Sequence, residues 1–354
     1  MTMLSLTYNQ GFPVILSDIL FTSDDGVRDF SLPTHLDGAK ILIDNSFATG
    51  SPVDLRQKVY IINERLCLVL GGRLDQMYSF LNYMQAFFEN KVPSSKELNE
   101  HLNAYAKDKR DNLLALIVLA IVNGNTGEFE IKTLGNWRKE KHDIFSFIFS
   151  GGSGSNDFLS TARDYPGGFG HTNELNKAIA QNLDLLSKFM GFEVTTADSI
   201  LNRWGAGFEM TYFYFTKFKK LKEYTYILFG GTYDKTAGLS CQPYAVMKYK
   251  YINDVLIIRA ANDEREQVFQ VNPINREYEN ISFNNSNLPD YQSRHFILGY
   301  IIRLPNGQVY LPSFVILVDK DENVKLKVNN GHLEITTKES LTIHIENEIK
   351  KLLI

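Results

Sequence analysis

Thr2 directly follows the initiator methionine, and a small second residue is the usual condition for removing that methionine. Removal would leave a free α-amino group on a threonine that also carries a hydroxyl nucleophile. An α-amine titrates at about 7.7–8.0, so it can accept the hydroxyl proton near neutral pH, whereas an internal threonine needs a neighbouring base. A threonine exposed in this way would be able to attack the carbonyl carbon of a substrate. The alternative is that Thr2 is an ordinary residue of the chain terminus.

Further residues along the chain could complete such a site. Gly11 separates two strand-like segments, and Asp18 follows the second of them. Lys58 begins the stretch KVYIINERLCLVLGG, which closes on Gly71-Gly72, and Ser153 lies in IFSFIFSGGSGS. Taken singly, each has a structural interpretation: a loop-capping carboxylate, a solvated strand-end lysine, or glycines at a strand-to-helix junction.

Taken in this order, Thr2, Gly11, Asp18, Lys58 and the glycine pair resemble the proteasome β-subunit and the related bacterial two-component protease subunit. Both are threonine hydrolases of the N-terminal-nucleophile superfamily. The resemblance covers residues 2–230. It implies a four-layer αββα sandwich, a peptide or amide substrate, and a homo-oligomer or an assembly with partner subunits.

The resemblance also implies a role for each residue. Thr2 would attack the carbonyl carbon, Lys58 would lower the proton affinity of the nucleophile and its amine, and Asp18 would keep Lys58 charged. A main-chain N–H at Gly71-Gly72 would stabilise the tetrahedral oxyanion, and Ser153 would assist the terminal amine. An amidase acting on a small molecule would use the same threonine chemistry, because one fold hosts many substrates.

The chain departs from this family at two places. The interval between the nucleophile and the lysine is longer than the family's, and residues 24–54 carry the excess as a predicted insertion. In LNRWGAGFEM, Asn202 and Gly205 stand where the family has an aspartate and a serine that support the amine, and asparagine cannot carry charge. These departures, together with a retained Met1, would fit a catalytically inactive proteasome-fold scaffold or recognition subunit.

The hydrophobic pattern predicts strands, two helices, strands, helices and strands, which favours an α+β fold with sheets between helical layers. We expect a proteasome-like αββα domain over residues 1–231, followed by a β-rich domain over residues 232–354. The predicted strands are 4–8, 14–21, 58–63, 65–70, 113–122, 128–134, 144–149, 207–218, 223–230, 245–251, 255–260, 296–303, 309–318 and 324–328. The predicted helices are 74–84, 94–109, 156–165, 174–190, 196–204 and 341–354.

Other kinds of site have less support. Residues 151–155, GGSGS, resemble a nucleophile elbow without its final glycine and a phosphate-binding loop without its lysine. The seven histidines form no i, i+4 or cysteine-paired pattern, so neither a metal nor a cofactor is predicted. The lysines of residues 217–222 could bind an acidic partner, but a hairpin turn with solvated lysines explains them equally well.

Composition limits the remaining classes. The 37 Lys and Arg residues against 41 Asp and Glu give a net charge of -4, which does not favour nucleic-acid binding. The 2 cysteines indicate a reducing compartment rather than a disulfide scaffold. The longest apolar run, 113–122, is shorter than the roughly 20 residues of a membrane-spanning helix, and the N-terminus has no secretory-signal pattern. We therefore expect a cytoplasmic protein that does not bind membranes.

Overall fold

A computed structural model of the protein describes residues 2–9, 11–23, 31–36, 51–108, 112–123, 126–165, 167, 174–196, 198–234, 236, 238–276, 288–317, 324–329, 332–337 and 339–353. The fold is α+β, with several mostly antiparallel sheets. Of the predicted insertion 24–54, residues 31–36 and 51–54 are described, and the others lie outside the described residues.

The strands are β1 Met3–Asn9, β2 Phe12–Asp18, β3 Leu20–Ser23, β4 Ser51–Leu55, β5 Val59–Asn63, β6 Leu66–Gly72, β7 Leu113–Asn123, β8 Thr126–Leu134, β9 Trp137–His142, β10 Ser146–Gly152, β11 Phe208–Tyr214, β12 Lys217–Lys220, β13 Glu223–Asp234, β14 Gly238–Ile252, β15 Val255–Asn262, β16 Glu266–Val271, β17 His295–Arg303, β18 Val309–Tyr310, β19 Ser313–Leu317, β20 Val324–Asn329 and β21 His332–Thr337. The helices are α1 Leu74–Phe88, α2 Ser95–Asp108, α3 Ser155–Arg163, α4 Glu174–Thr196, α5 Asp198–Leu201 and α6 Glu339–Leu353. None of these helices is both long enough and apolar enough to cross a membrane.

A six-stranded sheet has the order β12-β11-β2-β1-β10-β9, with every neighbouring pair antiparallel. Its two central strands form the predicted hairpin, in which Leu4 pairs with Ser17 and Thr7 with Val14. Gly11, in the turn, has a φ of 89°, a left-handed conformation that glycine adopts without steric cost. The hairpin places the start of β1 beside the end of β2.

The two faces of β1 pack against different partners because side chains alternate along a strand. Leu4 and Leu6 pack with Val59 and Val69 of a four-stranded sheet, whose order is β5-β6-β7-β8. Met3, on the opposite face, packs in a second cluster with α3 and α4. Side chains on the Leu4 face therefore point toward the four-stranded sheet.

Helices α1 and α2 contribute to a third cluster with the four-stranded sheet. Met77 and Leu81 of α1, four residues apart in the printed sequence, pack with Leu98 of α2 and with Leu68 of β6. This is the helical spacing from which α1 was predicted. The predicted cap of α2 is confirmed in part, because the Glu97 N–H donates to the hydroxyl of the preceding Ser94 at 3.2 Å.

A seven-stranded sheet has the order β16-β15-β14-β13-β17-β18, with β19 also paired to β17. Strand β13 pairs with β14 in antiparallel and with β17 in parallel orientation. The predicted domain boundary at residue 231 lies inside β13, and α4 contacts β17 and β19 as well as β2 and β11. The division into residues 1–231 and 232–354 stays a prediction.

Several predicted elements have different limits in the structure. The predicted strand 207–218 is two strands, because the chain turns at Phe215, whose φ is 56°. Of the predicted helix 196–204, only α5 (Asp198–Leu201) forms a separate helix, because Thr196 is the last residue of α4. Thr195 lies within α4, where its hydroxyl donates back to the Gly191 carbonyl at 2.9 Å. Strands β4, β9, β16 and β21 were not predicted.

Candidate active site

Three of the predicted residues meet in one hydrogen-bonded cluster. The Thr2 hydroxyl donates to Asp18 Oδ1, and Lys58 Nζ donates to Thr2 Oγ1 at 2.7 Å. Lys58 Nζ also donates to Asp18 Oδ1 at 2.8 Å and to the Leu20 carbonyl at 2.7 Å. The structure therefore brings together three side chains that are far apart in the sequence.

The fold explains this meeting. Thr2 immediately precedes β1 and shares the face of Leu4, which points toward the four-stranded sheet. Asp18 ends β2, the hairpin partner of β1, and Lys58 immediately precedes β5 of the four-stranded sheet. The hairpin thus supplies the hydroxyl and the carboxylate, and the facing sheet supplies the cation.

Asp18 is fully buried and accepts hydrogen bonds from main-chain groups as well. Its Oδ1 accepts the Met3 N–H at 2.9 Å, and its Oδ2 accepts the Gly205 N–H at 3.1 Å. Hydrogen bonds to an ionised carboxylate are stronger than those between neutral groups. Asp18 therefore fixes the start of β1 and the loop before β11 relative to Lys58.

The loop before β11 has an unusual backbone. Arg203, Gly205, Ala206 and Gly207 have φ values of 66°, 120°, 63° and 119°. Left-handed φ values at non-glycine residues are costly and persist where surrounding contacts impose them. The contact between the Gly205 N–H and Asp18 is one such constraint.

Lys58 is 1% exposed, and its main chain is held separately from its ammonium group. Glu209 Oε1 accepts the Lys58 N–H at 2.5 Å and the Val59 N–H at 2.9 Å. The Phe21 ring lies 5.0 Å from Lys58 Nζ. Burial lowers the pKa of Lys58, whereas the Asp18 carboxylate raises it, so the charged form depends on that partner.

Gly71 packs directly against the Thr2 side chain. A Cβ atom at Gly71 would lie 2.6 Å from Thr2 Cγ2 and 2.9 Å from Leu4 Cδ1, so the close approach of β6 to β1 requires glycine. Gly72 has a φ of 106°, and a Cβ there would lie 1.9 Å from the Asn112 carbonyl oxygen. The predicted glycine pair is therefore next to Thr2.

Ser153 lies on the main-chain side of Thr2. Its hydroxyl donates to the Thr2 carbonyl at 3.5 Å, and the Gly154 N–H donates to the same oxygen at 3.2 Å. These bonds hold the peptide group between Thr2 and Met3. All five predicted site residues thus lie together, and their catalytic roles stay predictions.

Asn202 does not join this cluster, since it is exposed at the end of α5. Gly205 contributes its N–H to Asp18, although it lacks the hydroxyl that the family has at that position. The sequence analysis missed two buried carboxyl groups beside the site, Glu193 and Glu209. Glu193 could have been found, because it follows Phe189 and Met190 on the apolar stripe of α4 by one helical turn.

The arrangement suits activation of a hydroxyl group. The Thr2 proton points at a carboxylate while its oxygen faces an ammonium group, and a nearby cation stabilises the alkoxide form. Among the residues that the structure describes, no group of three or more His, Cys, Asp or Glu is arranged to hold a metal ion.

In the chain that carries Met1, Thr2 is 1% exposed. A cleft of about 720 Å³ lies close by, lined by Gln57, Tyr60, Lys220 and Tyr251 among others. Thr2, Asp18 and Lys58 are not part of its lining.

No protein-family model matches the chain, and no curated protein matches it significantly.

Proposed function

We propose that this protein is a threonine-dependent N-terminal-nucleophile hydrolase that cleaves a peptide or amide bond after Met1 is removed. The observation that carries the proposal is the cluster in which Thr2 Oγ1, Asp18 Oδ1 and Lys58 Nζ are mutually hydrogen-bonded. A threonine hydroxyl in contact with a buried lysine has no evident purpose in the core that an apolar side chain would not serve better.

The proposal includes a four-layer αββα sandwich with a C-terminal β-rich appendage. It is supported by the cluster between the six- and four-stranded sheets, by the packing of α1 and α2 on the four-stranded sheet, and by the packing of α3 and α4 on the six-stranded sheet. It also includes a cytoplasmic location, supported by the unpaired Cys67 and Cys241, and a homo-oligomer or partner subunits, which rest on the resemblance.

In the proposed reaction the Thr2 α-amine takes the hydroxyl proton as Oγ1 attacks the carbonyl carbon. Lys58 stabilises the developing alkoxide, and the Gly71 main chain is the proposed donor to the oxyanion. The protonated amine gives its proton to the leaving nitrogen as the C–N bond breaks. Water, deprotonated by the same amine, then hydrolyses the ester and returns the hydroxyl group to Thr2.

Intact-mass measurement of the purified protein tests the first requirement, because the active form must lack one methionine. Incubation with an electrophilic peptide, such as a peptide epoxyketone or vinyl sulfone, should then add one inhibitor mass at Thr2. Thr2→Ala should abolish the adduct, whereas Thr2→Ser should retain it. Thr7→Ala is the matched control, since Thr7 is buried on the same strand and bonds to Asn182 instead.

A second candidate is a scaffold or recognition subunit with the same fold and no catalysis. The observation that favours it is the 1% exposure of Thr2, which leaves a substrate little access. An unprocessed chain that no electrophile labels would support this candidate. Labelling of Thr2 by small amide-like electrophiles but not by peptides would instead favour a small-molecule amidase.

A further inference from the structure

The Glu193 carboxyl group joins the loop of residues 203–207, which contacts Asp18, to the segment of residues 31–36. It is fully buried near the C-terminal end of α4. Its Oε1 accepts the Ala206 N–H at 2.9 Å and also accepts the Thr34 hydroxyl. Ala206 belongs to the left-handed loop of residues 203–207, and Thr34 belongs to the segment of residues 31–36.

The second oxygen of this carboxyl group has almost no room. The buried Ser199 hydroxyl is a further polar group close to this carboxyl group. A Cβ atom at Gly205 would lie 2.2 Å from Oε2, so the loop packs directly onto the carboxyl group. The same Gly205 donates its N–H to Asp18. Two carboxyl groups therefore hold successive amides of one loop.

The buried surroundings of Glu193 favour its protonated form. Burial raises the pKa of Glu193 to about 8, with a further contribution from the charge of Asp18, although hydrogen bonds from Thr34, Ala206 and Ser199 oppose the shift. The Tyr249 hydroxyl faces the loop beside Gly207, and His35 contacts the Thr34 hydroxyl. Burial also raises the pKa of Tyr249, so its hydroxyl stays uncharged beside the loop.

We propose that Glu193 is a positioning residue that ties the 203–207 loop to the 31–36 segment, keeps the Gly205 N–H on Asp18, and loosens this junction when it loses its proton. The effect on the junction stands on the contacts of Glu193 alone, whereas its effect on activity rests on the proposed function. Glu193 acts through the loop and Asp18, since it does not touch Thr2 or Lys58.

The pH dependence follows from proton linkage. When the junction opens, Glu193 returns to water and to its ordinary pKa of 4.5, whereas in the closed junction its pKa is about 8. The open form therefore releases a proton that the closed form keeps. Opening should become more favourable by about tenfold per pH unit between those two values and level off above about pH 8.

Hydrogen exchange of the full chain tests this linkage. The Gly205, Ala206 and His35 amides are all hydrogen-bonded in the closed junction. Their exchange rates are measured from pH 5 to 9 and divided by the intrinsic rates of unstructured amides. We expect the resulting opening constant to rise about tenfold per pH unit up to about pH 8 in the wild type, and to be independent of pH in Glu193→Gln.

Asp184→Asn is the matched control, because Asp184 is a buried carboxyl group on the same helix that bonds to Ser313 instead. It should leave the profile of these amides unchanged. Thr34→Val removes a hydrogen-bond donor to the carboxylate, so it should raise the pKa of Glu193 and shift the plateau to higher pH. This variant provides the test if Glu193→Gln fails to fold. A wild-type profile without slope, or an unchanged slope in Glu193→Gln, would overturn the proposal.

Labelling of Thr2 is measured on the same samples. If Thr2 is labelled, the ratio of the wild-type labelling rate to the Glu193→Gln labelling rate should change across the same pH range. If the processed chain is labelled at no pH while the exchange profile behaves as expected, the proposed function fails and the role of Glu193 in the junction stands.

Discussion

Lys58 donates hydrogen bonds to both Thr2 and Asp18, and its charge makes the burial of Asp18 tolerable. Removing one member of a buried ion pair leaves the other as an uncompensated charge, at a cost of about 3–5 kcal/mol. Loss of activity in a Lys58 variant could therefore reflect unfolding as well as lost chemistry. A second buried lysine in the chain allows these two effects to be separated.

Lys58→Met should reduce Thr2 labelling by about 100- to 1,000-fold, the effect of removing one preorganised electrostatic group from an active site. Lys248→Met is the control, because Lys248 is fully buried and pairs with Glu223 at 3.1 Å outside the site. It should lower stability but retain labelling once corrected for the folded fraction. Labelling rates are compared with circular-dichroism melts of both variants, and equal labelling in the two would show that Lys58 does not act on Thr2.

Glu193 should give the protein a stability that falls with rising pH. The unfolded chain releases this proton near pH 4.5, whereas the folded chain keeps it up to about pH 8. Its contribution is thus complete at low pH and declines by up to about 1.4 kcal/mol per pH unit between about pH 5 and 8. Urea unfolding at several pH values should show a shallower decline in Glu193→Gln. Glu89→Gln, at the exposed end of α1, should keep the wild-type slope.

At the scale of elements, the site is where β1 of one sheet meets β6 of another at van der Waals distance. Gly71 permits that approach, since any side chain there would meet Thr2 and Leu4. Because of this contact, the position of the Thr2 side chain depends on how the two sheets pack. A single methyl group should therefore be enough to disturb it.

Gly71→Ala should lower the unfolding free energy by about 1–3 kcal/mol, the usual cost of overpacking a core, and should also slow Thr2 labelling. Gly230→Ala is the control. Gly230 lies on β13, and a Cβ atom there would lie 3.9 Å from Tyr244 Cβ, which is an ordinary van der Waals distance. Its stability should stay within about 0.5 kcal/mol of the wild type. Chemical denaturation of both variants provides the comparison, and a Gly71→Ala protein as stable as Gly230→Ala would show that the sheets can separate freely.

The sequence predicted the elements that carry Thr2, Asp18 and Lys58 because short-range patterns define them: a hairpin turn at Gly11, β-branched runs, and a glycine pair. The turn at Phe215 escaped prediction, since the two-residue hairpin between β11 and β12 needs a left-handed φ that phenylalanine rarely adopts. Glu193 was missed although its spacing after Phe189 and Met190 places it on the apolar stripe of α4. A carboxyl group on a helix is read as solvated until packing shows what covers it.

At the scale of the whole molecule, the C-terminal third is built onto the N-terminal part beside the site. Gln57, next to Lys58, donates its side-chain amide to the Val271 carbonyl at 2.9 Å and its N–H to the Asn272 carbonyl at 3.0 Å. The Tyr60 hydroxyl accepts the Ile274 N–H at 3.2 Å. The start of β5, which positions Lys58, is thus held in part by residues 271–274.

Truncation after residue 231 is the sharpest test of the two-domain prediction. The cut lies inside β13 and removes both of its paired neighbours, β14 and β17, together with the 271–274 contacts to Gln57. It would also uncover α4 where Asp184 bonds to Ser313. We expect the 1–231 fragment to lose cooperative unfolding.

A 1–323 chain, which keeps β1 to β19, is the control. It should unfold cooperatively but at a lower temperature than the full chain, because Val324, Ile345 and Ile349 no longer cover the seven-stranded sheet. Calorimetry of both fragments decides the matter, and a 1–231 fragment with a sharp transition would establish the N-terminal part as an independent domain.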